Sequence, residues 1–354
     1  MKQLHQVYYA LTVWVLSSCT GGNKVSDQHV DARDTLQADV ITEAVKHDSD
    51  DPAIWIDPQD ASRSLIIGTD KDEDGGLYVF DLDGKLLRNV GGIKRPNNVD
   101  VGYGLLLGGK PVDFAIATER LTNRLRVFSL PSLTPIDDGG IEVFSGETER
   151  SPMGIALYTR PSDHALFAIV GRKSGPAEGY LWQYRLKDKG NGKVTAELVR
   201  KFGKYSGKKE IESIAVDNEL GFVYYSDEQV GVRKYLADPD ANDSTELALF
   251  ADTGFSEDNE GIAIYKTGEK TGYILVSNQG SNSLMIYPRE GANGNANQYP
   301  LLAEVPVSAK ETDGVDATSV GLGKRFPKGL VVSMSTDQTF HFFDWRKIEE
   351  RIKK

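Results

Sequence analysis

A chain of 354 residues, 39% hydrophobic and 26% charged, with 9% aromatic residues and 36 glycines, has the composition of a folded, soluble body and is too apolar for a disordered one. Its 41 Lys plus Arg stand against 52 Asp plus Glu, and a formal net charge of −11 argues against nucleic-acid binding by bulk electrostatics, which needs a basic footprint. An anionic ligand therefore needs local cations.

Residues 1–19, MKQLHQVYYALTVWVLSSC, carry one lysine and a run from Val7 to Leu16 dominated by apolar residues. Such a run is too short to span a bilayer, which takes roughly 20 residues, and predicts a signal peptide at 1–18, cleaved on export. Cys19 is the chain's one cysteine, so an intrachain disulfide is excluded. The small-small-Cys ending resembles the lipobox of bacterial lipoproteins. That resemblance implies a lipidated Cys19 and an exported, membrane-anchored protein facing the periplasm or the cell surface. Residues 19–39 are polar and predict a flexible tether, and residues 40–354 the folded domain, expected to be a monomer.

From Val40 onward short β-like runs follow one another, among them AIWID, LIIGT, LYVFDL, VDFAIAT, LRVFSL, ALFAIV, YLWQYRL, GFVYYS, YILVS, LMIYPR, LVVSMS and TFHFFDW. Bounded by Gly, Asp, Asn and Pro, they predict an antiparallel all-β protein; only the tail 345–354 reads as helical. A polar residue followed by a small or β-branched one opens Asp51-Pro-Ala-Ile, Asn98-Val-Asp-Val, Met153-Gly-Ile-Ala, Glu212-Ser-Ile-Ala, Glu260-Gly-Ile-Ala and Asp313-Gly-Val-Asp, at intervals of 47, 55, 59, 48 and 53 residues. A second pattern follows each: GTDK (68–71), ATER (117–120), VGRK (170–173), YSDE (225–228), VSNQ (276–279) and MSTD (334–337). Six copies at a period near 50 predict a six-bladed β-propeller of four-stranded antiparallel blades. The segment 41–47 is expected to supply the outer strand of the last blade and close the ring.

If each first pattern opens an innermost strand, all six starts surround one mouth of the central channel, and the ends of the second strands join them. Asp70, Lys71, Glu119, Arg120, Arg172, Lys173, Asp227, Glu228, Asn278 and Gln279 are then on the same rim. Carboxylates so close repel one another and call for a cation. Oxygen donors without histidine or cysteine suit Ca²⁺ better than zinc or copper. Lys71, Arg120, Arg172 and Lys173 match a ligand rich in phosphates or carboxylates, and a bound metal can turn such a site hydrolytic.

The stretches DDPAIWIDP (50–58), RPNNVDV (95–101), ATER (117–120), DNEGIAIY (258–265), SNQGSNSLMIYPR (277–289) and ETDGVD (311–316) together resemble the β-propeller phytases. The resemblance implies a calcium-dependent phosphomonoesterase hydrolysing phytate, myo-inositol hexakisphosphate, by attack of a calcium-bound water. It implies that Glu212, Glu228, Glu260 and Asp313 hold active-site calcium and carry the catalysis, with Asp50 or Asp51, Asp258 and Gln279 as further metal ligands. Lys71 and Arg120 are implied to grip phosphate. Two departures stand out: Met153 replaces a tyrosine, and Arg172-Lys173 replaces Lys-Glu, of the Bacillus-type members. Another calcium-dependent propeller hydrolase, a lactonase or phosphodiesterase, and a non-catalytic surface binder are the alternatives. His29, His47, His164 and His341 fall in dissimilar contexts and predict neither a metal triad nor a Ser-His-Asp arrangement.

Overall fold

The computed structural model describes residues 34–353. The expected signal peptide, Cys19 and most of the expected tether lie outside the described residues. Six four-stranded antiparallel units account for nearly all of the sheet, the second carrying a short additional strand at Thr134–Pro135. Their first strands are Ser49–Trp55, Pro96–Leu107, Pro152–Thr159, Ile214–Asp217, Asn259–Lys266 and Val315–Thr318. Each packs beside the first strand of the next unit, and the sixth beside the first, so the ring closes. All six line one channel of about 280 Å³. This is the six-bladed propeller that the repeat spacing implies.

Why the blades stack is visible in strand alternation. In Leu65–Asp70, Ile67 packs with Val99, Ala115 and Phe128 of the second blade, whereas its neighbour Ile66 packs with Leu330, Val332 and Phe340 of the sixth. Successive side chains point to opposite faces, so a strand covered on both sides reads as a continuous apolar run. Six apolar clusters result, one between each pair of neighbouring blades.

Ring closure differs in extent from the expectation. Only Val40–Ile41 forms a strand, pairing Val40 with Phe342 and Ile41 with His341 on the outside of the sixth blade. The chain before it is docked, which shortens the expected tether: Leu36 is buried, donates its N–H to Pro306 at 2.8 Å and accepts from Ser308 at 2.9 Å. At the other end the helix Trp345–Ile352 is capped by Asp344, which accepts from the Arg346 N–H at 3.0 Å. It buries Trp345 against the ring of Tyr265, centroids 3.4 Å apart.

Candidate active site

The first strands enter the mouth through a repeated irregularity. Ser49 pairs with Asp70 and Pro52 with Gly68, so Asp50 and Asp51 together face only Thr69. The same two-against-one bulge sets Asn97 and Asn98 against Thr118, Met153 and Gly154 against Gly171, and Glu260 and Gly261 against Ser277. The first bulge residue turns to the mouth and the second turns to the neighbouring blade. A Cβ on Gly154 would fall 2.0 Å from the Glu212 carbonyl oxygen, and one on Gly261 2.4 Å from that of Asp313. The glycines after Met153 and Glu260 are thus required by blade contact.

This bulge corrects the sequence alignment in two blades. The equivalents of Met153, Glu212, Glu260 and Asp313 are Asp50 and Asn97, one residue before the Asp51 and Asn98 read from the pattern. Asp51 takes the second position and spans to the next blade, its Oδ2 accepting the Val99 N–H at 2.9 Å. Ser213 does the same for Ile262 at 2.8 Å. Of the two aspartates offered as metal ligands, the structure brings Asp50 to the carboxylate cluster and leaves Asp51 as a clip between blades.

Alternation also sorts the ends of the second strands. Lys71, Arg120, Glu228 and Gln279 reach the site, whereas the residue before each turns back to hold a loop. Asp70 accepts from the Asp48 N–H, Glu119 from Lys94, Asp227 from Ser206 and Asn278 from Ser256, at 2.7 to 3.0 Å. Arg172 is in this holding register and is not brought to the mouth as a phosphate contact. It is 1% exposed, its guanidinium lies 4.8 Å from the Phe144 ring centroid and 5.7 Å from that of Tyr180, and its Nη1 donates to Glu147 at 3.1 Å. Lys173 is in the other register, half exposed, with its ammonium 2.6 Å from Glu210.

Two carboxylate triads result. Oxygens of Asp50, Glu212 and Asp313 lie within 4.8 Å of one another, and so do those of Glu228, Asp258 and Glu260. Lys71 forms an ion pair with Asp50 and lies 3.4 Å from Asp313, whose Oδ1 accepts from Gln279 at 2.7 Å. Arg120 donates to Asn97 Oδ1 at 3.1 Å. Three participants escaped the sequence reading: Asn97, Arg95 and Lys209. Arg95 stands in the quoted RPNNVDV segment and bears on Arg120 electrostatically. Lys209 forms an ion pair with Asp258 and lies 3.4 Å from Glu228. The sequence signal for it is the Lys209-Glu210 pair just before Glu212.

Burial dominates the electrostatics and the neighbouring acids reinforce it. Burial, with Glu212 and Asp313 opposing Lys71, holds Asp50 well above the usual carboxylate range. Burial and then Asp313 raise Glu212 despite Lys71. Glu228 is pushed up to about 8 by burial and by Glu212, and Glu260 is raised by burial, then Asp313, Glu212 and Glu228. Glu260 feels acids of both triads, so the two abut. Burial works against the charge of Lys71, but Asp50, Glu212 and Asp313 outweigh it and its pKa rises.

These residues fit a divalent oxygen-seeking cation. Glu228 Oε1 and Glu260 Oε2 are buried with no hydrogen-bond donor, an arrangement native proteins rarely leave uncompensated. The donor set contains neither histidine nor cysteine. Among the described residues, His47, His164 and His341 take no part in either triad.

A family model described as Phytase matches residues 6–352. The 3-phytase of Bacillus subtilis (strain 168) is 31% identical over 322 residues, covering 86% of this chain and 81% of that protein.

Proposed function

The chain belongs to the phytase family, and from that premise we propose that it hydrolyses phytate to lower inositol phosphates and phosphate with Ca²⁺ held at the propeller mouth. One observation carries the reading: acids from blades far apart in sequence are gathered into two abutting triads, with Lys71 and Arg120 beside them. In this reading Asp50, Glu212 and Asp313 hold one cation and Glu228, Asp258 and Glu260 another. When bound, calcium would neutralise the acids, polarise a phosphoryl oxygen and lower the pKa of water.

The chain's own residues supply positioning. Arg120 offers a planar fork to a phosphoryl group, steadied by Asn97, and Arg95 adds positive charge behind it. Lys71 is 15% exposed at the side chain, placing an ammonium against Asp50 and Asp313 of the first triad, where a phosphate can reach it. Lys173 supports the approach of a polyanion from the third blade. Gln279 orients Asp313 through its amide. Met153 puts a buried apolar side chain at the equivalent position of the third blade, so that blade gives the mouth no charge from its first strand.

The test is phosphate release from phytate by purified protein, with calcium and with excess chelator. Release that depends on calcium is expected. Equal release in chelator would remove the cation from the reaction, and no release under either condition would remove the activity. For placement, we read Cys19 as a lipidated anchor on an exported protein. Mass spectrometry of the mature N-terminus checks this, and an unmodified start at another residue would contradict it.

A further inference from the structure

The two triads are neutralised in different ways. Lys71 comes from the end of a strand in the first blade and is largely enclosed, its side chain 15% exposed, whereas Lys209 reaches the second triad from a loop and keeps 39% of its side chain exposed. Lys209 meets Asp258 and lies 3.4 Å from Glu228 and 3.8 Å from Glu260. One ammonium therefore touches all three carboxylates of one triad. Such a group occupies the space in which the same oxygens would surround a divalent ion.

The loop holds Lys209 there. Ser206 gives both its N–H and its hydroxyl to Asp227, at 3.0 and 2.7 Å, the Tyr205 hydroxyl donates to the Lys209 carbonyl, and the Glu228 N–H donates to the Glu210 carbonyl at 3.2 Å. Backbone on both sides of Lys209 is thus pinned to the strand Phe222–Asp227 and to Glu228 just after it. The four-carbon stem, in contrast, is free to swing into solvent at the mouth. A tethered cation of this kind has a high local concentration that no dilution lowers.

We propose that Lys209 is a built-in competitor for the cation at Glu228, Asp258 and Glu260, occupying the triad when divalent metal is scarce and leaving it when metal is abundant. This rests on the reading that these acids hold a divalent ion. Lys209 thereby sets the metal concentration at which the second triad fills, and shields three buried acids from one another when it is not filled. Displaced, its ammonium stays at the rim, on the side from which a phosphorylated substrate arrives.

Calorimetric titration of the full-length protein with Ca²⁺, comparing the unaltered chain with Lys209→Met and Lys209→Gln, tests the inference. Both variants are expected to bind as many ions as the unaltered chain, one of them about ten-fold more tightly, the change that ~1.4 kcal/mol makes. Without metal both should melt at a lower temperature, and calcium should raise their melting temperature by more. A lysine with a merely structural role would lower the metal-free melting temperature and leave every Kd within two-fold, which overturns the inference while the calcium reading stands. Absence of calcium binding by the unaltered protein and both variants overturns the two together. Two variants of different polarity guard against a single failure to fold.

Discussion

Replacing Glu260 by Gln should stabilise the metal-free protein and impair the calcium-loaded one. Glu260 is buried, and burial, Asp313, Glu212 and Glu228 all raise its pKa above the ordinary 4.5. At pH 7 the unfolded chain carries this carboxylate ionised, while the folded chain must take up a proton or hold an unfavourable charge. At about 1.4 kcal/mol per pH unit, the interval from 4.5 to 7 amounts to at most ~3.5 kcal/mol. The neighbouring acids relax to share this, so a gain of about 1–3 kcal/mol is expected from the neutral amide. At about 2 °C per kcal/mol for a chain of this size, the melting temperature in chelator should rise by about 2–6 °C. The sign follows from linkage. A carboxyl raised in the folded state contributes its stability below pH 4.5 and loses it as pH rises, so the advantage of Gln should vanish near pH 4. In calcium the variant lacks one charged oxygen ligand, a loss of about 1.5–3 kcal/mol, so the calcium needed for half-maximal phosphate release should rise about 10- to 150-fold. Scanning calorimetry at pH 4 and 7, paired with calcium titration of the activity, measures both. An unchanged calcium requirement together with a lower metal-free melting temperature would refute the reasoning.

Arg172→Lys should lower the melting temperature by several degrees, through loss of about 2–4 kcal/mol of ring and carboxylate contacts, and leave KM for phytate within two-fold. Lys173→Met should instead raise KM by about two- to five-fold with no change in melting, as an exposed charge near the mouth would. In the channel, burial pushes Asp100 up to about 6 and burial with Asp100 pushes Asp316 up to about 7. Stability in chelator should therefore fall as pH rises from about 4 to 7, and Asp316→Asn should flatten that slope in a pH series of thermal melts; an unaltered slope would count against these two aspartates as its source. Ser277→Ala removes a hydroxyl that accepts from Gly261 at 2.8 Å and donates to Thr312 at 2.9 Å in the next blade. A loss of about 1–3 kcal/mol is expected by denaturant unfolding, with the calcium requirement for activity unchanged.

Much of the architecture was legible because a propeller repeats itself. Apolar runs such as LIIGT and ALFAIV, punctuated six times, require a covered strand in each unit and a neighbour on either side, and blade count follows from spacing alone. The candidate acids were legible for the same reason: Glu212, Glu260 and Asp313 lead into their strands in equivalent contexts, each followed by a small residue and an apolar one. What pattern matching misread was register. Asp50-Asp51 and Asn97-Asn98 offer two similar residues side by side, and the pattern seized on the wrong one because no small residue follows to mark the bulge. Arg172-Lys173 likewise offers two adjacent cations, of which alternation sends the first into the blade.

Sequence by itself determined the fold class, the number of blades and the chemistry of the donor set, because each of these is written in local periodicity or composition. Tertiary structure decided which of two neighbouring side chains faces the mouth, that the acids form two abutting triads, and that Lys209, Arg95 and Asn97 join them. Those facts depend on single-residue register and on contacts between segments as much as 263 positions apart, as between Asp50 and Asp313. A one-residue shift reverses the face a side chain presents, and no local pattern records it.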